Sequence, residues 1–257
     1  MCLIVFAVDQ HPQYKLVLAA NRDEFFNRPT LEADFWPENN SILSGRDIQS
    51  KGTWLGINKN GRFIAITNFR DPQKNNPKAI SRGELSYQYL IQDEGVTPFL
   101  NILSKQRQFY NGFNLLLSDD GFDTIFHYSN VTNRSTKIES GIHGLSNHLL
   151  DTVWPKVRYG KNGISKIIQS KTIKTNDLIE LLKNDAVASD NLLPKTGISF
   201  DLEKKLSPVF ISMNGYGTRC TTAILVDRNN DLTFHEVTYD EKRQPIGEKR
   251  YTMKIKP

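Results

Sequence analysis

Two apolar runs, Cys2 to Val8 and Tyr14 to Ala20, are separated by only five residues, Asp9-Gln10-His11-Pro12-Gln13. Both runs are rich in aliphatic, β-branched and aromatic residues, and the link is hairpin-sized, so they predict an antiparallel hairpin that opens the chain. With the turn centred on His11, opposed residues have numbers summing to about 22, and Cys2 faces Ala20 within roughly two positions. Asn21, Arg22 and Asp23 then emerge beside Cys2. One end of one hairpin gathers a thiol, an amide, a guanidinium and a carboxylate.

Initiator methionine is commonly removed ahead of a residue as small as cysteine, and that would make Cys2 the first residue of the mature chain. Its α-amino group would titrate near ~7.7–8.0 and its thiol near ~8.5, so nucleophile and base would share one residue. This is the arrangement of N-terminal nucleophile enzymes. The competing reading makes Cys2 a small buried residue at the head of a core strand.

Further hairpins follow. Asn60-Gly61 joins Thr53 to Ile57 with Arg62 to Phe69 and delivers Asn68 to a strand end, where its amide is a candidate ligand-facing group. Asp119-Asp120-Gly121 joins Phe113 to Leu117 with Phe122 to Tyr128. Between these, Ser81-Arg82-Gly83-Glu84 has capping-box spacing and predicts a helix through Leu85 and Tyr89, and Thr97-Pro98 starts a second. A short strand over Val131 to Gly141 leads to Leu145-Ser146-Asn147-His148, with Asn147 again at a strand end. Helices over Trp154 to Ile168 and around Leu178 to Leu182 carry apolar stripes. These are what a single-chain core needs and fix no oligomeric state. Strands return over Val209 to Met213, Thr218 to Val226, Leu232 to Tyr239 and Arg250 to Ile255. Antiparallel hairpins interrupted by helical pairs indicate a layered α+β fold and not a parallel βαβ array. No linker-like stretch divides residues 1–257, so one domain is expected.

Composition narrows the function. With 38 % hydrophobic and 24 % charged residues the chain is an ordinary globular one, and no stretch reaches the ~20 apolar residues of a membrane span. The first apolar run lacks a basic leader and meets Asp9 at once, so a cytoplasmic protein without membrane insertion is expected. Two cysteines, Cys2 and Cys220, imply no disulfide framework. The net charge of +5 is dispersed, which argues against nucleic acid as a partner. None of the five histidines, His11, His127, His143, His148 and His235, falls in a metal-binding spacing, so no metal is expected. His143 and His148 are candidates to pair with Cys2, and His143 also to contact substrate. Asn214-Gly215-Tyr216-Gly217-Thr218 reads as a tight bend followed by Arg219, whose guanidinium is a candidate partner for an anionic substrate group or for Asp23.

Met1-Cys2, Asn21-Arg22-Asp23-Glu24, Gly52-Thr53-Trp54-Leu55-Gly56, Arg82-Gly83-Glu84-Leu85, Gly144-Leu145-Ser146-Asn147 and Gly217-Thr218-Arg219 together resemble the NRDE family, also known as the transport and Golgi organisation family. The resemblance runs over nearly the whole chain. It implies an N-terminal nucleophile hydrolase-like fold, a four-layer αββα sandwich of antiparallel sheets. More distantly the pattern resembles cysteine amidases that cleave penicillin V or conjugated bile salts. Their Arg-Asn-x-Asp signature is matched here by Asn21-x-Asp23, with Ala20 in the arginine slot and Arg22 or Arg219 as candidates for the missing charge. The resemblance further implies that Asp23 orients the Cys2 amine and that Asn68 or Asn147 donates to an oxyanion; Asn21, Arg22 and His143 are the candidate substrate contacts.

The expected activity is therefore hydrolysis of the amide bond of a small acylated substrate, with no cofactor required. The competing expectation, also implied by the family resemblance, is carriage of haem or a hydrophobic ligand in the same pocket, with Cys2, His143 or His148 as a possible axial ligand to haem.

Overall fold

The computed structural model describes residues 2–256, except for the side chain of Cys2. The expectations for removal of Met1 and for the Cys2 thiol fall outside the described residues.

The opening hairpin pairs β1 (Cys2–Val8) with β2 (Tyr14–Phe25). Its register sets Cys2 opposite Arg22 and Ala20 opposite Ile4, two positions further along than a turn centred on His11 gives. The shift arises because β2 begins only at Tyr14 whereas β1 runs to Val8. On the other flank of β1 lies β10 (Gly141–Leu145), and on the other flank of β2 lies β12 (Tyr216–Asp227), followed by β13 (Asp231–Tyr239) and β14 (Pro245–Lys254). The short β11 (Ser212–Met213) pairs with β12.

The second sheet runs in chain order through β3 (Thr30–Trp36), β4 (Asn39–Asp47), β5 (Leu55–Asn58), β6 (Phe63–Asn68), β7 (Phe113–Ser118), β8 (Phe126–Ser129) and β9 (Arg134–Lys137). Every pairing in both sheets is antiparallel. The Asn60-Gly61 turn forms as expected, with Gly61 at φ +80°, a conformation in which a Cβ would be strained.

Three apolar clusters define four layers. Ile4, Phe6, Leu16, Leu18, Leu43, Ile57, Leu116 and Phe234 fill the space between the sheets. Leu3, Val5, Val17 and Ala19, on the alternate face of the opening hairpin, pack against α3 (Pro155–Ile167) and α4 (Thr175–Leu181) through Val157, Ile164, Leu178 and Ile179. Ile64, Ile66, Leu115 and Leu117 cover the outer face of the second sheet with α1 (Arg82–Ile91) and α2 (Val96–Gln106). The two-residue period of β1 and β2 thus feeds two cores at once, which is why both strands are apolar on both faces. The result is the αββα sandwich.

Ser81 precedes α1, but its side chain makes no capping hydrogen bond. A short helix that composition does not signal, α5 (Phe200–Lys205), is capped by Ser199, whose hydroxyl accepts from the Leu202 amide at 3.3 Å. Among the described residues, no helix is long and apolar enough to cross a membrane.

Candidate active site

Three strand ends converge where β1 begins. Cys2 pairs with Arg22 on one side, and on the other flank of β1 the last paired residues are Ile4 and Leu145, with Asn147 following two residues after Leu145. Past Arg22, Asp23 pairs with Thr218 and Arg22 with Cys220, so Arg219 is the extra residue of a β-bulge. The second sheet contributes the end of β6. Asn147 joins the two sheets there, donating its amide to the Asn68 carbonyl at 2.9 Å and accepting from the Arg70 backbone amide at 2.8 Å.

Arg22, Asp23 and Asn68 line a polar cleft of about 490 Å³ that also takes in Arg28, Asp47 and Arg82. The rim is tight where Gly52 meets Gly83, since a Cβ on Gly52 would run into the Gly83 carbonyl. An apolar groove adjoins the cleft and shares Glu24 and Asn68 with it.

Asp23 is 1 % exposed. The Thr218 hydroxyl donates to its carboxylate at 2.7 Å, and the Tyr216 hydroxyl donates to its carbonyl at 3.3 Å. Burial pushes its carboxyl above the ordinary range, and the nearby Lys156 charge opposes that shift. Lys156 itself is buried on α3 with Val157, Gly160 and Ile164. Sequence reasoning missed it, although Lys156 stands one and two helical turns before Gly160 and Ile164 on an otherwise apolar stripe.

Arg22 is buried between the sheets. Its guanidinium lies 4.2 Å from the Trp54 ring centre, donates to Thr30 Oγ1 at 3.2 Å and pairs with Asp47 at 3.4 Å. Asp47 is shared with Arg28, whose Nε approaches it to 2.5 Å. Ile4, Trp54, Leu55, Ile66 and Thr222 close around Ala20 and leave only about 10 Å³ there. An arginine at position 20 would have no room. Arg22, one pleat repeat away on the same face, brings its charge to the neighbouring space.

The remaining expected residues are engaged elsewhere. Asn21 faces the helical layer, where its amide donates to the carbonyls of Leu182 and Val209 at 3.0 and 2.9 Å while its oxygen accepts from Thr221 at 2.7 Å. It staples the helical layer to the sheet and does not face the cleft. Arg219 donates to the carbonyls of Phe25 and Arg28, holding the turn after β2. His143 lies opposite Phe6, four residues along the strand from Cys2. Both its ring nitrogens are bonded, Nδ1 to Asp151 at 2.8 Å and Nε2 to the Glu139 carbonyl at 3.0 Å. The bond to Asp151 pushes the imidazole pKa up against burial. Burial disfavours the charged Asp151 carboxylate, yet bonds from His143 and Lys161 bring it down to about 2. His148 bonds Thr152 at 2.9 Å and packs against Phe69 and Trp154.

Further buried polar groups appear that motif reading passed over. Arg70 and Glu203 form an ion pair at 2.6 Å, with side chains only 6 % and 4 % exposed. Neither residue belongs to a recognisable motif, and the pair links the segment just after β6 to α5, 133 residues apart. Among the described residues, no three His, Cys, Asp or Glu side chains are grouped to hold a metal ion.

Comparison with solved structures identifies the same architecture elsewhere. A C2A mutant of the conjugated bile acid hydrolase from Clostridium perfringens superposes with a TM-score of 0.53 at 11 % identity, covering 98 % of this chain and 92 % of that one. That likeness shows a shared N-terminal nucleophile hydrolase-like fold. In sequence, the Transport and Golgi organization protein 2 homolog of Bos taurus is 38 % identical over 255 residues, covering 92 % of both chains. The Homo sapiens homolog is 37 % identical over 261 residues, covering 94 % of each. The Drosophila melanogaster protein, Transport and Golgi organization protein 2, is 30 % identical over 262 residues, covering 93 % of this chain and 92 % of its own. A family model described as Transport and Golgi organisation 2 matches residues 1–241, and the chain belongs to that family.

Proposed function

We propose that the protein is an amidohydrolase in which Cys2, exposed by removal of Met1, attacks the carbonyl of a small acylated amine. The α-amino group takes the thiol proton, and the thiolate adds to the amide carbon. The oxyanion accepts hydrogen bonds from the Asn68 and Asn147 side chains. Collapse breaks the C–N bond, the α-ammonium returns its proton to the departing amine, and water hydrolyses the thioester. Asp23 orients the amine, and Arg22 adds positive charge at the cleft.

The observation that carries this reading is the convergence of Asp23, Asn68, Asn147 and Arg22 around the strand end that begins at Cys2. Asn147 keeps donor capacity, because its amide carries two N–H groups and the Asn68 carbonyl uses one. Removing one such donor costs about 10²–10³ in rate where it serves an oxyanion.

The test is a panel of N-acyl amides with wild type, Cys2→Ser and Cys2→Ala, together with intact mass. The proposal expects a chain beginning at Cys2 and loss of acyl transfer in Cys2→Ala with an unchanged melting temperature. Retention of Met1 sinks it, since a peptide nitrogen is no base.

A second reading, carriage of a hydrophobic ligand or haem without catalysis, is favoured by the apolar groove beside Asn68. Haem titration followed at the Soret band tests it, and a spectrum without a stoichiometric end point rules haem out. His143, with both ring nitrogens engaged, offers no axial position without breaking its bond to Asp151 or Glu139.

A further inference from the structure

The polar cleft does not end at Asn68. Beyond it lies a groove of about 730 Å³ walled by Phe25, Leu202, Leu206, Met213 and Tyr216, with Lys205 also along it. Phe25 and Leu202 are 56 % and 37 % exposed. The two cavities have opposite character. The cleft offers guanidinium, carboxamide and carboxylate groups, whereas the groove offers mostly aliphatic and aromatic carbon. Both are lined by Glu24 and Asn68. Tyr216 fixes the junction from the groove side, because its hydroxyl bonds to the Asp23 carbonyl while its ring packs edge-on against Phe25.

The groove wall is also held in place. Leu202, Lys205 and Leu206 lie on or just after α5, and Glu203, on the inward side of that helix, is tied to Arg70. Arg70 in turn donates its backbone amide to Asn147. A wall anchored by a buried ion pair to the same segment that orients Asn147 is a rigid feature and not a chance surface depression.

We infer that this groove holds the acyl chain of the substrate, so that the protein acts on amides of unbranched aliphatic acids, with the polar amine portion in the cleft and the scissile carbonyl at Asn68. Leu202, Leu206 and Met213 are then specificity-determining residues. The inference rests on the amide-hydrolysis reading for the reaction but not for the binding. An aliphatic chain suits the groove because most of its exposed wall is carbon, with Lys205, Ser212 and Asn214 also lining it, whereas a substrate polar at both ends would leave unmatched hydrogen-bonding groups against that carbon.

Equilibrium binding separates the two claims. A series of N-acylglycines with acyl chains of four to fourteen carbons (on the order of ten methylenes of range) is titrated by calorimetry into the Cys2→Ala protein, which turns over nothing. Each added methylene is expected to tighten binding by about two- to fourfold until the groove is filled, fourfold being full burial of the group. Leu202→Asp, on an exposed position that tolerates charge, and Met213→Trp, which fills the groove, are each expected to flatten that dependence and leave the shortest chain bound as in the parent. If chain length matters and both variants flatten it, the groove assignment stands even where the wild type hydrolyses none of the series, and only the amidase reading fails. Affinity independent of chain length, or a chain-length dependence untouched by both variants, overturns it. So does loss in Leu202→Asp of binding to phosphatidylcholine vesicles or of self-association, with a flat acyl series, because the occupant is then a membrane surface or a second copy.

Discussion

The Asn147 side chain donates to the Asn68 carbonyl at 2.9 Å, tying the end of one sheet to the end of the other at the mouth of the cleft. Asn147 is fully buried, and its own carbonyl accepts from Arg70. The bond to Asn68 holds the side-chain amide through one of its two N–H groups, while the bond from Arg70 holds the Asn147 main chain, so the second amide hydrogen is left to donate. That is the preorganisation an oxyanion site requires.

Asn147→Ala removes the donor and leaves the Asn68 carbonyl without this partner. Acyl transfer is expected to fall about 10²–10³-fold, with a stability loss of about 1–3 kcal/mol. Paired kinetic and thermal measurements decide between the roles, because a merely structural Asn147 would lower stability and leave the specific activity of the folded fraction intact.

Asp23 follows the opposite logic. Its folded-state pKa is raised above 3.8 by burial, even after the opposing Lys156 charge, so the folded state favours the neutral carboxyl. The stabilisation this provides is complete below about 3.8 and is lost as pH rises through the folded value, so at neutral pH the ionised group weighs against the fold. Asp23→Asn is expected to melt at or above the wild-type temperature at pH 7 while losing acyl transfer. A marked fall in melting temperature at pH 7 contradicts a functional role for the charge.

What the sequence made legible depended on local order. The hairpin over Cys2 to Phe25 was readable because both faces are buried and the turn is short, Asn68 because it ends β6, and Asn147 because it follows β10 by two residues. Strands β3 and β4 were not read. Their apolar alternation is broken by register shifts between Leu31 and Asp34 and between Phe35 and Trp36, and much of β3 is solvent-facing. Arg219 looked like a site residue because nothing local reveals a β-bulge that turns its guanidinium onto backbone carbonyls. Asn21, although next to Arg22, points into the other layer, which follows from the strand period once the register is known. Lys156 and the Arg70–Glu203 pair depend on contacts between distant segments, which no local pattern encodes.

That pair is a direct test of how α5 is held. Arg70→Met leaves the Glu203 carboxylate buried without its cationic partner, with Thr196 still donating to it from both its backbone amide and its hydroxyl. Breaking one side of such a pair is expected to cost about 3–5 kcal/mol, whereas the double variant Arg70→Met with Glu203→Leu costs much less than the two singles together. Urea denaturation of the four proteins measures the coupling, and additive losses would show that the pair does not act as a unit.

His127 sets an acid limit on the fold. It is buried on β8, bonded through Nε2 to the side-chain Oδ1 of Asn114 at 3.3 Å, and burial lowers its pKa from 6.5 to about 4. A depressed folded value means that the unfolded chain binds the proton first, so the stabilisation is present above about 6.5 and is lost as pH falls towards 4. The loss amounts to about 3 kcal/mol for this group. His148 and His235, also shifted down by burial, act in the same direction, while His143, shifted up by Asp151, acts against them. His127→Gln retains a donor for Asn114 and cannot be protonated, so its unfolding free energy should fall less between pH 7 and pH 4 than that of the wild type. Denaturant melts at the two pH values measure the difference, and equal falls would assign the acid sensitivity to other groups.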